Sequence, residues 1–354
     1  MEEHHFYDEV SDFLRIPATR RDFLKKVTAG SSAAAFGSLI ATRHSTAATV
    51  DAGSSTVSFV TGGDRRDNVC RALEPLKHEI AQGIKGKRVI IKPNMVGKET
   101  ILCATHPDAI RGVLDFLAPM HRDTVYIAES TGRRYPDMPG TIKHYHLYDY
   151  FPLQDEYNAR LVDLNTDSYT VQWVLSADGH PLDIRIIDTF LDPANYIISL
   201  CRPKTHNCMV VTLTAKNILF GAPLVDNNRH DKARMHSAGY KNLNFNMFLL
   251  AQKIRPQLAV LDGLEGMEGN GPTDGTPVEH GVALASTDFI AADRIGCLLM
   301  DVPFSDVGYL TYCSNAGLGQ GDLSKITIIG TDPRSHIITY KLHERFEQML
   351  EWKT

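Results

Sequence analysis

Three short stretches place ionisable and amide side chains beside apolar runs. In "IKPNMVGKETILCATHP", Lys92 closes an apolar run, Asn94 follows a proline, and His106 stands at a helix start. In "RPKTHNCMVVTLTAKNILFGAP", Arg202 to Pro223, the residues Lys204, His206, Lys216 and Asn217 follow the run "YIISL". In "LDGLEGMEGNGPTDGTP", Leu261 to Pro277, five glycines lie among Asp262, Glu265, Glu268, Asn270 and Asp274. A lysine in apolar surroundings is expensive unless it faces negative charge. The first two stretches therefore call for carboxylates or an anionic ligand.

The chemistry open to these residues is acid–base and electrostatic. Lys204 or Lys216, its pKa lowered by crowding, can act as a base or electrophile, with His206 or His106 as the partner acid or base. Lys92, Asn94, His106, Asn217 and Asn270 are candidate ligand-binding groups. A helix opening at "THP", with Thr105 as its N-cap, offers free N–H groups to an anion. Glu265, Glu268 and Asp274 are candidate metal ligands, because oxygen donors at this density suit Mg²⁺ or Ca²⁺, although the spacing is not that of an EF-hand. Plainer alternatives stand beside each reading. Lys92 would snorkel to a sheet edge, and Lys204 and Lys216 would join a structural ion-pair network with the acidic loop. The polar segment Asp226 to Tyr240, with His230 and His236, reads as a solvated loop or a lid.

The elements that must position these groups follow from periodicity. "TVSFVTGG", "KRVIIKPNMV", "TVYIAES", "NYIISL", "QLAVLDG", "GVALAS" and "KITIIG" read as strands. They alternate with helical patterns at Arg66 to Ile84, at "THPDAIRGVLDFLAPM", from about Val211, at "FNMFLLAQKI" and at "DFIAADRIGCLLM". In the helix from Val211, Thr212 and Lys216 would share a face. Apolar strands alternating with helices predict an α/β fold whose mostly parallel sheet is covered by helices on both faces. "YTVQWVLSADGHPLDIRII", about 169–187, breaks the alternation and predicts an inserted β-hairpin at an edge. In such folds ligands bind beyond the carboxyl ends of strands, where Lys92/Asn94, Lys204/His206 and the acidic segment all fall.

The first 48 residues read as a twin-arginine-type signal peptide. "TRRDFLKK" precedes a short apolar core, "VTAGSSAAAFGSLIA", and a small-residue end. Residues 49–354 then form a single α/β domain. This predicts an exported, periplasmic or extracytoplasmic protein, a passing partnership with the twin-arginine translocase, and membrane tethering if the segment is not cleaved. The net charge of -5 gives no footprint for nucleic acid. The six cysteines form no Cys-x-x-Cys pair, so no intrinsic iron–sulfur cluster is expected. They read as buried free thiols, Cys201 and Cys208 included.

"IKPNMVG", "THPDAIRGVLDFL", "RPKTH", "TLTAKNILFGAP", "LDGLEGMEGNGPTDG" and "GVALASTDFIAADRIGCLLMD" occur in this order. Together they resemble the family catalogued as domain of unknown function 362, over about Val57 to Gly330. The resemblance implies an α/β domain, in some members joined to iron–sulfur modules whose cysteine motifs are absent here. It implies no catalytic assignment. The expectation is one polar site for a small anionic ligand or substrate, acted on with or without a divalent metal. The alternative is a non-catalytic binding protein for an anionic ligand, cofactor or metal complex.

Overall fold

The runs Val89–Ile91, Val125–Ala128 and Tyr196–Leu200 are apolar at nearly every residue, so strands built from them need cover on both faces. In the computed structural model, which describes residues 53–135 and 138–354, they are neighbouring strands. The expected signal segment lies outside the described residues. In chain order the strands are β1 (Ser55–Thr61), β2 (Arg88–Lys92), β3 (Val125–Glu129), β4 (Ala159–Asp163), β5 (Tyr169–Leu175) and β6 (Pro181–Ile187). There follow β7 (Asn195–Cys201), β8 (Lys204–His206), β9 (Val210–Thr212), β10 (Leu258–Asn270), β11 (Asp274–Ser286) and β12 (Ile326–Gly330).

Among the described residues ten strands form one sheet in the order β12-β1-β11-β10-β7-β2-β3-β4, with β8 beside β10 and β9 beside β8. The run β10-β7-β2-β3-β4 is parallel throughout, as is β1 with β12. β11 is antiparallel to both β1 and β10, and β9 to β8. The fold is α/β with a mostly parallel, mixed sheet.

Alternate residues of each strand enter two separate cores, as the pleat requires. Val89, Ile91, Ile198 and Leu200 pack with the helices Arg65–Leu73 and Pro107–Leu117. Ile90, Ile197, Cys201 and Leu261 pack on the other face with Thr214–Leu219, Gly239–Ala251 and Phe289–Leu299. Each large apolar side chain so buried contributes about 1.5–3 kcal/mol.

Four local expectations need correction. The hairpin β5–β6 forms, but as a two-stranded sheet of its own rather than an edge of the main one. It is fixed by Asn246, whose amide accepts from the Leu175 N–H at 2.8 Å and donates to the Leu175 carbonyl at 2.7 Å. Thr212 is in a strand, and the helix begins only at Thr214, where Asp293 accepts from the backbone N–H of Thr214 and Ala215. The glycine-rich acidic stretch is no loop; it is the paired outer half of β10 and β11, register Glu265 to Glu279 through Asn270 to Asp274. The N-cap of helix Pro107–Leu117 is His106, whose Nδ1 accepts from the Asp108 N–H at 3.1 Å. Thr105 instead ties strand ends together, accepting from Asn94 N–H and donating to the Leu200 carbonyl.

Candidate functional site

The chain leaves β2 for β3 and β4 on one side and later fills β7 and β10 on the other. The order thus reverses between β2 and β7, and α/β sheets open a crevice beyond the carboxyl ends of strands at such a point. β2 ends on Lys92 and β3 on Glu129, while β4 ends on Asp163; the register pairs Lys92 with Ser199 and Glu129 with Asp163.

Lys92 is buried and donates to Glu129 Oε2 at 2.7 Å, to the Pro93 carbonyl at 2.7 Å and to Asn217 Oδ1 at 3.0 Å. Asn94 also donates to Asn217 Oδ1, at 3.1 Å. The Asn217 amide donates in turn to the Lys92 carbonyl and to Ser199 Oγ, so it spans the point of reversal. Lys204 donates to Asn94 Oδ1 at 2.6 Å and to the Cys103 carbonyl at 2.9 Å. Lys232, on the helix Asp231–His236, reaches the carbonyl and hydroxyl of Ser130. Gly221 lies against this network: a Cβ there would overlap Lys92 Cε and the Asn217 carbonyl oxygen.

Lys216 differs from the other three. It is 7% exposed, and among the described residues it makes no hydrogen bond or ion pair; its Nζ lies 4.9 Å from the Phe220 ring centroid. Burial pushes Lys204 and Lys232 down to about 7 and Lys216 down to about 8. Burial lowers Lys92 as well, against the opposing pull of Glu129.

His206 shares one face of β8 with Lys204 and accepts the Cys208 N–H on Nδ1 at 3.1 Å. Burial, followed by the positive charge of Lys216, holds it well below the usual imidazole range. The His236 ring lies parallel to it at 6.0 Å between centroids and 4.2 Å from the Phe220 ring. His236 is solvent-accessible yet closely surrounded by protein, and its pKa is lowered by burial and Lys216. Cys208 Sγ lies 3.2 Å from His236 Nδ1; burial pushes this thiol up to about 11.

Of the residues singled out in the sequence, Lys92, Asn94, Lys204 and Asn217 form one hydrogen-bonded network, with Lys216 and His206 alongside. The others lie apart. His106 caps its helix, with Arg65 and Asp262 acting on its charge, and among the described residues no hydrogen bond joins it to the lysines. Asn270 meets Glu344 at the surface. The three carboxylates offered for a metal go to three different partners. Glu265 pairs with Arg202 at 2.8 Å, Glu268 accepts the Lys341 N–H at 2.8 Å, and exposed Asp274 pairs with Lys98. No His, Cys, Asp or Glu group of three with metal-binding geometry occurs among the described residues. The acidic hairpin borders the site through its backbone: Met267 pairs in register with Lys204.

Glu129, Asp163, Lys232 and Arg202 were not anticipated. Glu129 and Asp163 end strands as Lys92 does, and that signal could have found them. Arg202 is fully buried; one nitrogen holds Glu265, while Nε and Nη2 have no hydrogen-bond partner among the described residues. That edge is the one that takes a carboxylate or phosphate through two parallel bonds. A separate hollow lined by Arg255, Gln257, Thr287 and Asp288 opens at the other end of β10.

The model of the family described as Domain of unknown function (DUF362) matches residues 89–298, more than half of the chain. The chain belongs to that family. The four buried lysines, Glu129 and Asp293 of this DUF362 protein all lie inside the matched span. A thylakoid-associated protein of Synechocystis sp. is 27% identical over 229 residues, 59% of this chain and 62% of the relative. The DUF362 chain thus spans about three fifths of that curated relative's length. A crystal structure of a Thermotoga maritima protein superposes with a TM-score of 0.39 at 11% identity, covering 73% of this chain and 59% of that one.

Proposed function

We propose that this protein binds a small anionic molecule beyond the carboxyl ends of β2, β3 and β7, and acts on it. One observation carries the reading: Lys92, Lys204, Lys216 and Lys232 are all buried, while among the described residues only Lys92 of the four is paired with a carboxylate, Glu129. Uncompensated buried charge is unfavourable. A bound oxyanion would supply the missing negative charge, and the unpartnered edge of Arg202 offers a further donor pair. A site holding amines near neutral pKa is also suited to proton transfer, which favours an enzyme over a carrier.

Export fits the twin-arginine pattern at the N-terminus and the thylakoid association of the Synechocystis relative. No helix of the described residues is long and apolar enough to cross a membrane. The test is titration calorimetry of the purified protein with inorganic phosphate, citrate and a neutral sugar. Saturable binding of an anion with proton uptake at pH 8 is the expected result. Equal indifference to all three, at low salt, would sink the reading.

A further inference from the structure

Three of the four buried lysines are pinned. Lys92 has three acceptors, Lys204 two and Lys232 two. Each acceptor favours the ammonium form and fixes the nitrogen. Lys216 has none among the described residues, and its nitrogen faces the Phe220 ring. Burial, and after it the charge of Lys92, disfavours its charge. Close by, His206 accepts an N–H on Nδ1, so the neutral ring carries its proton on Nε2. Nε2 has no hydrogen-bond partner among the described residues, and a neutral imidazole can hold a carbonyl oxygen as a donor.

We infer that Lys216 is a nucleophile that forms an imine with a small anion bearing an aldehyde or ketone. This rests on the anion-site reading above and names its substrate class. The amine lone pair attacks the carbonyl carbon, and the C=O π pair moves to an oxygen held by His206 Nε2–H. A proton passes from nitrogen to that oxygen through solvent. The nitrogen lone pair then forms C=N as the C–O bond breaks, and with one solvent proton the oxygen leaves as water. The balance is amine, carbonyl compound and one proton in, protonated imine and water out, with no oxidant or reductant. Lys204 and Lys232, each with one N–H not taken by an acceptor, would hold the anionic end, and the imine would draw electrons from the adjacent carbon.

The experiment incubates the folded protein with glyoxylate or with pyridoxal 5′-phosphate, adds sodium cyanoborohydride, and maps the reduced adduct by peptide mass spectrometry. The expected result is a single adduct on Lys216, at least tenfold ahead of exposed Lys77 and Lys98. Inorganic phosphate should suppress it, and Lys216→Arg should lack it. The unmodified chain carries the main readout, so a variant that misfolds does not leave the question open. An adduct on Lys204 or Lys232 instead overturns the assignment to Lys216. An adduct spread over surface lysines, or none, with phosphate binding intact overturns the imine and leaves the anion site standing. No adduct and no phosphate binding overturns both.

Discussion

The ammonium of Lys92 lies 2.7 Å from Oε2 of Glu129, with both side chains almost fully buried. Such a pair is held by mutual neutralisation, so removing one member should be worse than removing both. Glu129→Gln leaves an uncompensated charge and should destabilise the protein by about 3–5 kcal/mol. The double variant Lys92→Met with Glu129→Leu should lie within about 1–2 kcal/mol of the parent, because well-packed apolar replacement of a buried pair is often neutral. Urea unfolding of the three proteins gives the comparison. A double variant less stable than Glu129→Gln would contradict it.

Lys204 has amide and carbonyl acceptors but no carboxylate among the described residues. Lys204→Met relieves a buried charge but strands Asn94 Oδ1, so the melting temperature should change little while phosphate binding weakens by at least about tenfold, or 1.4 kcal/mol. Both quantities come from thermal unfolding with and without phosphate. Loss of stability with unchanged affinity would reassign Lys204 to a structural role.

The lysines set a pH dependence. With folded pKa values near 7 for Lys204 and Lys232 and near 8 for Lys216, the unfolded chain binds more protons than the folded one above pH 7. Stability of the ligand-free protein should therefore rise between pH 7 and about 8.5, as the penalty for buried charge is relieved. Above that the buried cysteines, whose thiols burial pushes up, begin to ionise in the unfolded chain and pull the other way. Anion affinity should move oppositely and fall as pH rises from 7 to 9. Scanning calorimetry and phosphate titration at four pH values measure both slopes. A melting temperature that falls from pH 7 to 8.5 would refute the assignment.

Asn246 supplies a control that, among the described residues, shares no hydrogen bond with the buried lysines. Asn246→Leu strands the N–H and carbonyl of Leu175, and about 1–3 kcal/mol is expected for each group left unpaired in the core. Thermal unfolding should show the loss, while phosphate affinity per folded molecule should not change.

The sheet was legible because its parallel strands are apolar at consecutive positions, and Lys92 and Lys204 stood out as cations at the ends of such runs. Glu129 and Asp163 obey the same rule. Lys232 could not be read this way: it lies in a polar segment, where Arg185 pairs with neighbouring Asp231 and Asp226. The acidic stretch looked like a loop because of its glycines, but in a strand glycine also marks close approach. A Cβ at Gly266 would meet the Tyr340 hydroxyl. The pairing of β11 with β1 is remote in sequence, which local pattern does not encode.

Gly221 gives the site a dependence on something that is not there. The hydrogen at its α-carbon leaves the volume through which the Lys92 side chain passes to Glu129 and Asn217. A single methyl group at that point would meet both a pinned ammonium stem and a helix carbonyl, neither free to yield. The smallest chemical enlargement of the chain would thus displace a positive charge, and the electrostatics of the lysine cluster answer to the bulk of one neutral residue.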